Sequence, residues 1–138
     1  MRVFLDANVL FSAAYRETGS VRAFFALADA GACELVASGY AIEEARRNIL
    51  AKHPERRDDL EALLSRMSVC PEPAAATVAW AVAQRLPPKD APILAAAVEA
   101  RCHLLVTGDR THFGALFGRR LRGTVVMLPV DAIGLLAG

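Results

Sequence analysis

Long hydrophobic runs are missing from this chain. Within its 138 residues no uninterrupted apolar stretch approaches the ~20 residues needed to cross a bilayer, so no membrane role is expected. A basic segment followed by an apolar core and a cleavage site is also missing at the N-terminus, and no signal peptide is expected. Cysteine is scarce: Cys33, Cys70 and Cys102 are odd in number, far apart and without a CxxC pair. They read as buried free thiols in a reducing cytoplasm rather than as disulfides or metal ligands. Charge of one sign is lacking too. Sixteen Lys and Arg against fifteen Asp and Glu leave a net charge of +1, which neither demands nor excludes nucleic acid. No Ser/His/Asp arrangement, glycine-rich phosphate loop or Cys/His metal spacing offers a ready chemistry, and no repeat, linker or low-complexity tract divides the chain.

What is present suits one folded domain over residues 1–138. Hydrophobic residues make up 54% and the mean hydropathy is +0.31, enough for a sizeable core. The arginines are clustered as Arg46-Arg47, Arg56-Arg57 and Arg119-Arg120 with Arg122. Such clusters can meet phosphates locally, although for any one pair a solvated helix face is the simpler reading.

Residues 3–5 form a short apolar run with β-formers, and residues 7–14 look helical. Arg16-Glu17-Thr18-Gly19-Ser20 breaks that pattern. Ser20 then suits the cap of a helix to about residue 30, with a 3.6-period stripe of Val21, Phe24, Phe25, Leu27 and Ala28 and a stop at Gly31. Residues 33–37 predict a second strand and residues 41–52 a helix closed by His53-Pro54. A further helix is expected over 55–66, a third strand over 68–70, and an alanine-rich helix over 74–85 in which Trp80 is a packing anchor. Asp90 opens a helix to about residue 101, with Pro92 tolerated in its first turn. Residues 103–107 predict strand four and residues 124–128 strand five, separated by a loop with one helical turn. A terminal turn or short helix covers 131–136. Short strands alternating with helices argue for a parallel sheet covered on both faces.

In such a sheet the strand C-termini and the following helix N-termini share one edge. Asp6 ends strand one, Glu43 or Glu44 sits early in the helix after strand two, Asp90 opens a helix, and Asp109 follows strand four. Each has a plainer reading: Asp6 and Asp90 as helix caps, Asp109 as a turn residue. Both Glu43 and Glu44 flank the Ile42/Ala45/Ile49 stripe, so periodicity does not separate them. His112 lies near Asp109 and could contact substrate, but a surface or loop-packing role is the simpler reading. Taken as a set, however, converging carboxylates repel by about 4 kcal/mol at ~4 Å and an effective dielectric of 20. Protons or a divalent cation must relieve that repulsion. Oxygen-only ligands select Mg²⁺ or Mn²⁺, and such a site suits phosphodiester hydrolysis.

The segments Phe4-Leu5-Asp6-Ala7-Asn8-Val9-Leu10, Glu44-Ala45-Arg46-Arg47-Asn48-Ile49-Leu50, Asp90-Ala91-Pro92-Ile93-Leu94-Ala95-Ala96-Ala97 and Val106-Thr107-Gly108-Asp109 together resemble the PIN domain. More narrowly, they resemble the bacterial PIN proteins grouped as toxin components of toxin–antitoxin systems. The resemblance extends through Phe113-Gly114 to Leu128-Pro129. It implies a single α/β domain with a five-stranded parallel sheet of order 3-2-1-4-5 and helices on both faces. It also implies a metal-dependent ribonuclease site. Matched position by position, Asp6, Glu44, Asp90 and Asp109 form the acidic quartet that ligates Mg²⁺ or Mn²⁺, with Asn8 and Thr107 as supporting polar residues. It is the family pattern that prefers Glu44. A small antitoxin partner and a homodimer are further implications. Two rivals remain: a phosphatase built on Asp-x-Asp, for which Asn8 stands where an acid is needed, and a catalytically silent RNA- or protein-binding module.

Overall fold

The computed structural model describes residues 1–16 and 19–138. The break expected around Glu17 and Thr18, and capping by the Ser20 side chain, lie outside what is described. Among these described residues six strands form one sheet: β1 (Arg2–Leu5), β2 (Glu34–Ser38), β3 (Ser68–Cys70), β4 (Leu104–Val106), β5 (Arg120–Leu121) and β6 (Thr124–Met127). Their order is β3-β2-β1-β4-β6-β5. The first five in that order pair in parallel, which reproduces the expected arrangement.

The sixth strand corrects the expectation of a five-stranded, wholly parallel sheet. β5 pairs antiparallel to β6, with Leu121 opposite Thr124. Between them Arg122 and Gly123 both take positive φ, +50° and +90°, the sign pattern of the two-residue hairpin turn that matches strand twist. Two residues are too few to register as a strand by periodicity, and Arg-Gly lacks the usual Asn-Gly signal.

Among the described residues eight α-helices cover the sheet: α1 (Ala7–Tyr15), α2 (Ala23–Asp29), α3 (Gly39–Lys52), α4 (Arg57–Leu64), α5 (Ala75–Val82), α6 (Ala91–Glu99), α7 (Arg110–Phe113) and α8 (Pro129–Ala137). Single 3₁₀ turns at Ser20–Arg22 and Pro54–Arg56 lead into α2 and α4, which therefore start later than expected. Gly31, at φ +83° just past α2, supplies the left-handed stop. Among the described residues no helix is long and apolar enough to cross a membrane.

Strand alternation divides the interior in two. Val3, Leu5, Leu35, Ala37, Leu104 and Val106 pack with α1, α2, α3, α4 and α8. Phe4, Val36, Leu105 and Val126 face the other way, toward α5 and α6. Trp80 is half-buried against that second cluster, as a packing anchor should be. All three cysteines are buried and free.

Candidate active site

β1 is the central strand, flanked by β2 and β4, and the register pairs Leu5 with Val106. The next residue on each strand therefore meets its counterpart at the C-terminal edge. Asp6, only 4% exposed, accepts a hydrogen bond at Oδ1 from the Ala7 backbone N–H at 2.7 Å. Its Oδ2 accepts from the buried Thr107 hydroxyl at 2.8 Å and from Asn8 Nδ2 at 3.1 Å. Thr107 Oγ1 accepts in turn from Asn8 Nδ2 and from the Asp109 backbone N–H, both at 3.1 Å. Asn8 Oδ1 takes the Gly108 N–H at 2.8 Å. Asn8 thus staples the end of β1 to the loop after β4, and Thr107 joins Asp6 to the backbone of Asp109.

Asp109 caps α7. Its Oδ1 accepts from the Thr111 and His112 N–H groups at 3.1 and 3.0 Å, and its Oδ2 lies 2.8 Å from His112 Nδ1. Asp90 stands at the head of α6 but makes no capping bond, so a helix cap does not account for it. Its Oδ2 is buried without a hydrogen-bond partner, although the same His112 Nδ1 is 3.1 Å away. One ring N–H cannot serve two carboxylates well, and the shorter contact goes to Asp109. Asp90 keeps an orphaned oxygen, which costs free energy unless something positive meets it.

The electrostatics point the same way. Burial, reinforced by the charges of Glu44 and Asp90, raises Asp6 from 3.8 to about 6 despite the bonds from Thr107 and Ala7. Burial also raises Asp90; His112 and Lys89 oppose the shift and Asp109 adds to it. For Asp109, burial is outweighed by the His112 backbone and ring and by the Thr111 N–H, and its carboxyl is held below the usual range. Burial raises the Tyr40 phenol, and Glu44 and Asp90 push it further.

The charge of Glu44 therefore bears on both Asp6 and Tyr40. Glu43 is exposed, and its charge bears on Arg46 instead. That distinction was invisible to periodicity. The structure thus brings Asp6, Asn8, Asp90, Thr107 and Asp109 to one edge, with Glu44 felt there through its charge.

Ligand atoms of Asp90, Asp109 and His112 lie within 4.8 Å of one another. Asp6 stands behind them, its oxygens already engaged by neighbours. The residues fit a hard divalent cation: one buried carboxylate oxygen lacks a partner, and a second carboxylate sits beside it. His112 is the residue the sequence undervalued. The only available signal was its spacing, three residues past Asp109, which brings the two together on the first turn of a helix. Beside Asn8, Gly108 and Asp109, a cleft of about 360 Å³ continues past Ser12 and Val21.

Comparison with known proteins adds three findings. No curated protein matches the sequence. Solved structures share the fold: VapBC2 from Rickettsia felis bound to a DNA fragment from its promoter (17% identity, TM-score 0.73, covering 93% of this chain and 98% of that one), PAE2754 from Pyrobaculum aerophilum (18%, 0.70, 99% and 96%) and FitAcB from Neisseria gonorrhoeae (21%, 0.59, 93% and 98%). The PIN domain family matches over residues 2–111, a span that holds every acid described above. The chain belongs to the PIN domain family.

Proposed function

We propose that this protein is a Mg²⁺- or Mn²⁺-dependent endoribonuclease of the cytoplasm, the toxin of a type II toxin–antitoxin pair. The observation that carries this reading is the orphaned, buried oxygen of Asp90 among converging carboxylates. Asp90 and Asp109 would hold the metal directly and Asp6 and Glu44 directly or through water, with His112 at the rim. When bound, such an ion activates water and offsets charge on the phosphoryl oxygens.

The remaining work belongs to the chain's own residues. Thr107 and Asn8 hold Asp6 in one orientation through 2.8 and 3.1 Å hydrogen bonds, the supporting role that neighbours of ligands usually play. Glu44 orients the attacking water on the phosphate of an RNA strand. Burial keeps bulk water from screening these charges.

An antitoxin partner is supported by the fold's relatives VapBC2 and FitAB, which are complexes bound to DNA fragments. Exposed apolar side chains at Leu50, Val69, Val130 and Leu135 offer surface to such a partner and to a homodimer. The test is cleavage of a mixed RNA pool in Mg²⁺, Mn²⁺ or EDTA, wild type beside Asp6→Asn. Metal-dependent products that disappear in the variant are expected. Retained metal-dependent cleavage by Asp6→Asn would sink the assignment, and a folded, metal-bound wild type that cleaves nothing would favour a silent binding module.

A further inference from the structure

The β5–β6 hairpin and the loop after α5 carry a set of arginines that the acidic site does not use. From residue 110 to residue 130 the chain has four arginines and no Asp or Glu. Among the described residues, Arg85, Arg110, Arg119, Arg120 and Arg122 join no ion pair, whereas Arg2, Arg46 and Arg66 each sit on a carboxylate. Arg85 and Arg119 border a cleft of about 330 Å³, together with Gln84 and Leu116. At the hairpin tip the Arg122 guanidinium lies over the Trp80 ring, 4.1 Å from its centroid.

Two of these arginines occupy backbone positions that do not favour them. Arg85 and Arg122 have φ of +68° and +50°, where glycine or asparagine is the less strained choice. Helix ends and hairpin turns need such a conformation, but they do not need arginine in it.

The segments that border the cleft also connect to the acids along the chain. The loop bearing Arg85 reaches Asp90 within five residues, no more than about 18 Å of chain. The segment bearing Arg119 leaves directly from Asp109 through Arg110. Guanidinium groups without carboxylate partners suit phosphate, which they grip with two parallel hydrogen bonds. Stacking on Trp80 fixes one of them in advance, so less freedom is lost on binding. A positive groove tracking the backbone is how single strands are held without regard to sequence.

We propose that Arg85, Arg119 and Arg122 bind successive phosphates of single-stranded RNA and lead the strand toward the acidic edge. This rests on the ribonuclease reading for its choice of ligand.

The test is fluorescence anisotropy in EDTA with a labelled single-stranded RNA of about 15 nucleotides and mixed sequence, long enough to span such a groove. Wild type is compared with R85N/R119Q/R122N, in which asparagine keeps the two left-handed positions comfortable. The triple variant should bind about tenfold or more weakly. Its plot of log affinity against log salt should be shallower by about 2, the slope for three single-strand phosphates. Arg119→Gln alone, at an ordinary backbone position, should lose about threefold and lower the slope by about 0.7. Arg57→Gln on α4 removes one exposed cation elsewhere and should change binding less than about twofold.

Unchanged affinity and slope in the triple variant would overturn the proposal. So would a loss at Arg57→Gln equal to that at Arg119→Gln, or displacement of RNA by duplex DNA at equal phosphate concentration. Cleavage is read separately. RNA binding that depends on the three arginines in a protein that never cleaves would leave the track and remove the nuclease. Cleavage with unchanged KM in the triple variant would do the reverse.

Discussion

Asp6 is held by three hydrogen-bond donors and still titrates near 6, so its burial outweighs its partners. A carboxyl raised from 3.8 to about 6 favours the folded state while both forms are protonated. That advantage is complete below pH 3.8 and is lost as pH rises through 6. The loss amounts to about 3 kcal/mol. Metal-free wild type should therefore lose stability from pH 4 to pH 6.5 in urea titrations, and Asp6→Asn should flatten that slope whatever its constant offset. Glu34 and Glu61 are held below their usual range and act in the opposite direction at lower pH, so the windows separate. At Asp90 the expected result concerns metal. Asp90→Asn should weaken Mn²⁺ binding at least tenfold by calorimetry while leaving the metal-free thermal midpoint equal or higher, because the orphaned oxygen is no longer charged. None of this was legible from single residues. Asp6 and Thr107 are 101 positions apart, and nothing local marks them as partners.

The parallel strands and most helices could be read from short apolar runs and 3.6-residue stripes, because both faces of the sheet are covered and a buried strand advertises itself. α3 begins where Ser38, whose Oγ accepts the Ala41 N–H, caps it, and α6 tolerates Pro92 in its first turn. β5 was hidden for the opposite reason: one of its two residues is an exposed arginine, so no alternation exists to detect. The quartet was legible as a set only because topology places strand ends together, whereas the choice of Glu44 over Glu43 rested on resemblance. The hairpin also gives a test of its own. A Cβ on Gly123 would meet nothing within 4 Å, so Gly123→Ala isolates backbone strain at φ +90°. It should cost about 1–2 kcal/mol in urea unfolding, with fraying confined to the β5 edge in hydrogen exchange.

Across the whole molecule, the sheet couples two cores that would otherwise be independent, since alternate residues of one strand serve each. Phe4 belongs to one cluster, and its neighbours Val3 and Leu5 to the other. Phe4→Ala should cost about 3–5 kcal/mol and yet leave a single unfolding transition, seen alike by fluorescence and circular dichroism. The same long-range wiring has a consequence for the protein's birth. The web needs residues 6, 8, 90, 107, 109 and 112 together, and β4 and β6 form a parallel pair at its edge. A chain emerging from the ribosome therefore has no assembled acidic edge until Thr107 and Asp109 have followed Asp6 by more than a hundred residues, some seconds later at about 5–20 residues per second. A site built this way cannot exist on a partly made chain: its first carboxylate waits, already synthesised, for partners about a hundred residues behind it.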